Sequence, residues 1–478
     1  MREVVTLQFG EYANYVGAHY WNLQYACNDQ DPDWVLFREQ NSRQTQPRAL
    51  VFDTAGNFGA LEQSEELRSA GNDSADKERA LWSGSMEVHR QPLHAKSEPQ
   101  QAGEGRSDQG RFWSDFGQAR FAPQTISAVS GVEFGNSLGE MNTFQEGMQV
   151  FAGNDSREDA LEGGFRVLAE ECDHLQGFQV MADAFGGFAG YGSAFIARIR
   201  DEYPKAPVLL YSIGGTQRSS RLQGTRLMDT AVATASNVEF VSMNVPLFAP
   251  SFAKLRGHVQ VADDNLYQTS GFMALNVAQW SHSLRSGRHI LDEIVALVTQ
   301  QEHYNVAEAL LAPGLRMPTC VSSRSSSSNA ALAEADEIVQ RSFVGCSDAA
   351  IGGLRSTAGL MVADRGTAMG ELVAGSCPPA ALASEKAPVA LPRQFPGIFH
   401  KIDRNGFLGV AGEPVQMELD RLRVAGVLCT SAASLGYLQQ LHGALRVEQA
   451  THFKDYERDT VRGLRHALDT MIDRYSML

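Results

Sequence analysis

The segment from Cys172 to Pro204, CDHLQGFQVMADAFGGFAGYGSAFIARIRDEYP, constrains the fold more than any other stretch. A run with the pattern of a buried strand, Gly177 to Ala184, leads into a glycine-rich turn, Gly186 to Gly192. A helix is predicted from Ser193 to Tyr203, with Phe195, Ile196, Ile199 and Tyr203 on one face and Arg198 and Arg200 turned away. Ser193 is its expected N-cap. Strand, glycine turn and helix in this order are the layout of a phosphate-cradling loop. Glycines let backbone N–H groups reach oxygens with no Cβ in the way, and the positive end of the helix faces the anion. Tight packing explains such a turn equally well. Phe188 stands where such a loop would need a glycine.

The rest of the first 300 residues repeats the strand–helix alternation. Val4 to Phe9 is a β-branched run ending at Gly10, and Glu11 to Ala26 reads as a helix with Val16, His19, Tyr20 and Leu23 at helical spacing. Strands are expected at Ala49–Asp53, Val208–Ile213 and Val238–Val245. Helices are expected at Arg157–Glu171, Leu222–Ala235, Leu266–Leu284 and Ile290–Gln300. The pattern implies an α/β fold, a mostly parallel doubly wound sheet with helices on both faces. From about 54 to 110 the chain is rich in Ser, Asp, Glu, Gln, Gly and Asn, which predicts a long, partly disordered excursion. Order is expected to return at Arg111 to Phe116. A Ser-rich linker is placed at 301–340, around VSSRSSSSNAALA, and a smaller α+β domain at 341–478. In that domain Gly426–Ser431 reads as a strand. Asp455–Tyr475 reads as a helix, with Val461, Leu464, Leu468, Met471, Ile472 and Tyr475 in one stripe.

With 478 residues the chain can hold two or three domains with sizeable cores. Its net charge of −15, with no basic stripe, argues against a nucleic-acid partner. None of its six cysteines forms a CxxC pair, so no structural zinc site is expected, and their sparseness fits a reducing compartment. The N-terminus has no apolar signal core, and no run of 18 apolar residues occurs, so membrane association would be peripheral. The triplet Asp29, Asp31, Asp33 resembles the start of a calcium loop, but Trp34 stands at the turn glycine and Gln40 at the closing glutamate. Cys172, Asp173 and His174 are nucleophile-type residues in a row; adjacency in sequence does not make a triad. GxxxxGK[ST] is absent, which excludes a P-loop GTPase.

MREVVTLQFGEYANYVGAHYWN resembles the N-terminus of tubulins, and CDHLQGFQ with the glycine loop and IARIRDEYP resembles their phosphate-loop segment. The likeness is closer to the Misato family of tubulin-like proteins. It is carried by Thr6-Leu7-Gln8, Ala13-Asn14, Val16 to His19, Trp21-Asn22, Arg111 to Phe116 and Glu171 to Gly192. The resemblance implies a tubulin/FtsZ-like N-terminal domain over 1–300. It also assigns the nucleotide loop to Gly10, Glu11 and Asn14 with Gly186, Gly187, Phe188, Ala189 and Gly190. That loop is degenerate here. Tubulins carry glutamine, cysteine and glycine where this chain has Glu11, Tyr12 and Ala13. Glu11 would set a carboxylate beside phosphates, Tyr12 adds bulk near the nucleoside, and Phe188 replaces a glycine. Tubulin-type hydrolysis also uses an acid from an Asn-x-Asp motif, which occurs nowhere in this chain.

These departures imply a fold that outlived its GTP chemistry, with no catalytic residues and no required cofactor or metal. By resemblance, the expected role is non-enzymatic: mitochondrial distribution, morphology and mitochondrial DNA inheritance. The expected place is the cytoplasm or the outer mitochondrial surface, with protein partners there or in the cytoskeleton. Two other readings stay open, a factor in tubulin biogenesis or spindle assembly and a polymerising GTPase. Phe188→Gly separates two fates of the site: it should create binding if the ring plugs a pocket, and change little if a nucleotide is held as structure.

Overall fold

The computed structural model describes residues 2–27, 34–40, 44–59, 61, 112–133, 141–153, 156–215, 220–249, 258–287, 289–301, 303–313, 340–341, 359–363, 382–385, 388–400, 402, 405–408, 421–445, 456 and 458–477. The Asp29/Asp31/Asp33 triplet, nearly all of the 54–110 excursion and the Ser-rich stretch lie outside the described residues.

β1 (Glu3–Phe9), buried along its whole length, runs into α1 (Glu11–Ala26). A small hairpin, β2 (Phe37–Gln40) with β3 (Gln44–Pro47), precedes β4 (Ala49–Ala55) and β5 (Ile126–Glu133). α2 (Phe144–Gly153) comes next, then a helical run whose middle, Asp159–Phe165, is π-helical. β6 (Leu175–Asp183), α3 (Gly187–Glu202), β7 (Val208–Gly214), α4 (Ser220–Ser236) and β8 (Met243–Phe248) complete the alternation. The six long strands form one sheet in the order β5-β4-β1-β6-β7-β8, every pair parallel.

Period-two side-chain alternation divides this sheet between two cores. Val5, Leu7, Phe9, Phe178, Val180 and Leu210 face the layer containing α3. Val4, Met181, Leu209, Tyr211 and Ile213 face α1 and α5 (Leu266–Arg285). α5 is nearly all buried because it is covered on two sides. It packs on α1, and it also packs on a second, mixed sheet of order β10-β9-β15-β11-β12. α6 (Leu291–Val298) follows α5 and lies against both sheets. The second sheet's strands are β9 (Glu308–Pro313), β10 (Gln340–Arg341), β11 (Gly359–Ala363), β12 (Leu382–Glu385) and β15 (Val424–Cys429). Between the last two, β13 (Val389–Ala390) pairs with β14 (Arg421–Leu422). The last helices, α7 (Ala432–Ala444) and α8 (Arg458–Tyr475), pack on α4.

Several expectations are corrected. The glycine stretch 186–192 is not an extended turn: only Gly186 precedes the helix, and Gly187 to Gly192 are its first turns. Ser193 is therefore no N-cap; its Oγ donates back to the Ala189 carbonyl at 2.7 Å, inside the helix. The strand expected from Val238 starts at Met243, because Asn237 to Phe240 close a turn after α4. The predicted linker begins too early, since Glu308–Pro313 pairs with Val424–Cys429 in the second sheet.

Candidate functional site

The strand order places the site. From β1 the chain moves to β4 and β5 on one side, and β6, β7 and β8 lie on the other. The order therefore reverses between β1 and β6. In open parallel sheets, ligands lodge at the carboxyl ends of the strands flanking such a reversal. Here those ends are Phe9–Gly10 and Asp183–Gly186, each followed by a helix. Gly10 and Gly186 both adopt positive φ, 99° and 77°, which lets each strand turn directly into its helix. Sequence and topology agree on the position.

The structure brings Gly10, Glu11, Asn14, Gly186, Gly187 and Phe188 to the two turns and directs Ala189 and Gly190 into helix packing, and the Asn14 side chain and the Gly186 and Gly187 amides bond to the protein. Asn14 Nδ2 donates to the Phe52 carbonyl (2.9 Å) and to Asp53 Oδ2 (2.8 Å), tying α1 to the end of β4. The Gly187 amide donates to the Met141 carbonyl at 2.8 Å. The Gly186 amide donates to Asp229 Oδ2 at 3.2 Å. Phe188 is buried among apolar side chains, its ring against Tyr191 at 6.4 Å between centroids. A Cβ at Gly10 would collide with the Asp183 carboxylate and come within 2.9 Å of Phe188 Cβ, so both residues lie directly against this turn. Gly190 serves packing: a Cβ there would collide with the Phe144 carbonyl, so α2 could not lie against α3. Ala189 is buried on the opposite side, toward α4. Tyr12 is buried, and its hydroxyl donates to Thr269 Oγ1 at 2.9 Å, joining α1 to α5. Burial raises its pKa, with Asp183 adding to the rise.

Sequence reasoning missed three acids. Asp183 Oδ1 accepts the Ala13 amide at 2.8 Å, and the Tyr12 amide also faces this carboxyl, so it sits over the N-terminus of α1. It is half-buried. Burial, then Asp53, then Glu11 push its pKa well up. Asp53 is fully buried and accepts from Asn14, Asn57 Nδ2 (2.9 Å), Trp113 Nε1 (2.9 Å) and the Thr54 amide (2.8 Å). Burial lifts its carboxyl to about 6 against these bonds. Asp229, buried on α4, is likewise lifted to about 6 by burial. Glu11, half-buried, is raised by burial too. An Asp before a glycine turn was the available signal for Asp183; nothing local marks Asp229. Among the described residues no group of acids, histidines or cysteines is arranged to hold a metal ion. Four acids around the two turns make the cleft hostile to a triphosphate unless cations intervene.

Fold and site together define a tubulin-like protein. Residues 102–285 match the model of a tubulin domain, and residues 2–103 match that of the Misato segment II tubulin-like domain. Taken together the two matches run over more than half of the chain, which belongs to the Misato family of tubulin-like proteins. It is 29% identical over 294 residues to Protein DML1 of Gibberella zeae, covering 57% of this chain and 59% of that one. It is 30% identical over 282 residues to Protein dml-1 of Neurospora crassa, covering 52% and 51%. With Protein misato homolog 1 of Mus musculus it shares 29% over 290 residues, covering 52% and 50%. The chain thus spans about half to three-fifths of the length of these relatives.

Proposed function

We propose that this chain is a tubulin-fold protein without GTP turnover, a scaffold serving mitochondrial distribution, morphology and mitochondrial DNA inheritance. It acts in the cytoplasm or at the outer mitochondrial surface, through protein partners there or in the cytoskeleton. One observation supports the non-enzymatic part. Phe188 Cβ lies directly against the Gly10 turn with its side chain buried in the core, and the Gly187 amide is already bonded to the Met141 carbonyl. A nucleotide would have to displace both. The absence of an Asn-x-Asp motif supports the same reading, since that acid would position the attacking water. The mitochondrial part rests on membership of the Misato family. Its test is depletion of the protein in cells. Collapsed or fragmented mitochondria with loss of their DNA are expected, rescued by the chain itself. Intact mitochondria with spindle defects would instead favour a role in tubulin biogenesis.

A further inference from the structure

We propose that Asp183 and Asp229 are built-in replacements for nucleotide phosphate groups, so that the chain folds and holds its shape without any nucleotide. The inference rests on the reading of the cleft as one without GTP turnover and adds what satisfies it in place of the ligand.

The helix N-termini at the strand-order reversal need acceptors. The first turn of any helix has backbone N–H groups with no partner inside the helix, and its dipole favours negative charge. In a nucleotide-binding fold of this topology the phosphate oxygens supply both. Here each helix end meets a carboxyl of the chain itself. Over α1 it is Asp183, reached by the Ala13 and Tyr12 amides. Over the start of α3 it is Asp229, which comes 43 residues later in the chain than Gly186, whose amide it accepts. The Phe144 amide at the start of α2 faces the same carboxyl. Neither helix has a side-chain cap from its own N-cap residue, because both N-caps are glycine. The acids come from elsewhere, Asp183 from the neighbouring strand and Asp229 from the neighbouring helix.

Asp229 carries the inference furthest. It is 1% exposed, and its second oxygen, Oδ1, has no hydrogen-bond partner. Burying a carboxylate with half its acceptor capacity unused is costly unless a positive field compensates. The N-terminus of α3 supplies part of that field, and burial still outweighs it. The two acids also differ in surroundings. Among the described residues, Glu11 and Asp53 act on Asp183, and Glu146 acts on Asp229. Removing Asp229 therefore leaves a site that a free anion can enter; removing Asp183 leaves one that its acidic neighbours still guard.

The test is made on the full chain with inorganic pyrophosphate as the probe. Asp229→Ala is expected to melt at a lower temperature than the wild type. Millimolar pyrophosphate should then raise its melting temperature by several degrees more than it raises the wild type's. Multivalent anions stabilise proteins generally by exclusion, so Tyr475→Phe, whose lost hydroxyl bonds to Val306 rather than to either acid or helix end, is the control and should follow the wild type. An Asp229→Ala response no larger than that of Tyr475→Phe overturns the proposal. Asp183→Ala gives an independent reading by hydrogen exchange: the Tyr12 and Ala13 amides should exchange about tenfold faster or more, the equivalent of about 1.4 kcal/mol. Unchanged exchange there also overturns it, and it serves alone if Asp229→Ala does not fold. GTP hydrolysis by the wild type would instead defeat the functional reading, so the two failures are distinct.

Discussion

The main-chain amide of Ala13 donates to Asp183 Oδ1 at 2.8 Å, joining residues 170 apart in the chain. The bond ties the first turn of α1, which follows β1, to the carboxyl end of β6, at the point where the sheet order reverses. The first turn of a helix needs acceptors for its free amides, and here the chain supplies one itself. The consequences can be measured.

Phe188→Gly separates filling from blocking. The side chain is buried among Phe9, Tyr191 and their neighbours, so its loss should destabilise by about 3–5 kcal/mol in chemical denaturation. It should not by itself create GTP binding, because the Gly187 amide stays bonded to Met141 and the Gly186 amide to Asp229. Micromolar GTP affinity in this variant would mean that the ring alone had closed the site.

Gly190→Ala tests the reading of this glycine as a packing residue. A methyl group there meets the Phe144 backbone carbonyl, which cannot swing aside like a flexible side chain. The expected loss is about 1–3 kcal/mol, with α2 displaced from α3. A variant as stable as the wild type would return this glycine to the role of a phosphate-loop residue.

Stability should depend on pH in a direction set by the raised acids. Burial lifts Asp53 and Asp229 to about 6 from the usual 3.8. Their contribution is fully present below the unfolded value and is lost as pH rises through about 6, because folding takes up protons in that window. Each group can account for a fall of up to about 1.4 kcal/mol per pH unit there. Asp229→Asn should remove one group's share of the slope. His19 works in the opposite sense. Burial drives its imidazole from 6.5 down to about 3, so its contribution is present above 6.5 and lost in acid. That term is common to both proteins and cancels in the comparison. Identical slopes would contradict the assignment for Asp229.

Tyr475→Phe probes how the last helix is held. The Tyr475 hydroxyl donates to the Val306 carbonyl and accepts the Val306 amide, both at 2.7 Å, just before β9. Removing it leaves a buried amide unpaired, at a cost of about 1–3 kcal/mol. A loss below a few tenths of a kcal/mol would show that apolar packing alone secures α8.

Much of the architecture was legible because local pattern and tertiary burial coincide. Glu11 to Ala26 is a helix at both levels, and the β-branched Val4–Phe9 is the strand expected. The cleft was legible as well, since a glycine after each strand marks the turns at Gly10 and Gly186. What sequence could not give was non-local. Gly187 to Gly192 looked like a loop because glycine disfavours helix interiors. The close approach of α2, needing glycines at 147 and 190, outweighs that preference. Asp229 reads as an ordinary polar position on an amphipathic helix; only the packing of α4 against α3 brings it to the Gly186 amide. Glu308–Pro313 adjoined a low-complexity stretch, and its strand identity comes from a partner more than a hundred residues later, Val424–Cys429.

The most direct test is titration calorimetry of the purified full chain with GTP and magnesium, followed by an assay for released phosphate on the same sample. No binding heat up to millimolar GTP and no turnover are expected. A micromolar dissociation constant with phosphate release that grows with protein concentration would contradict that expectation.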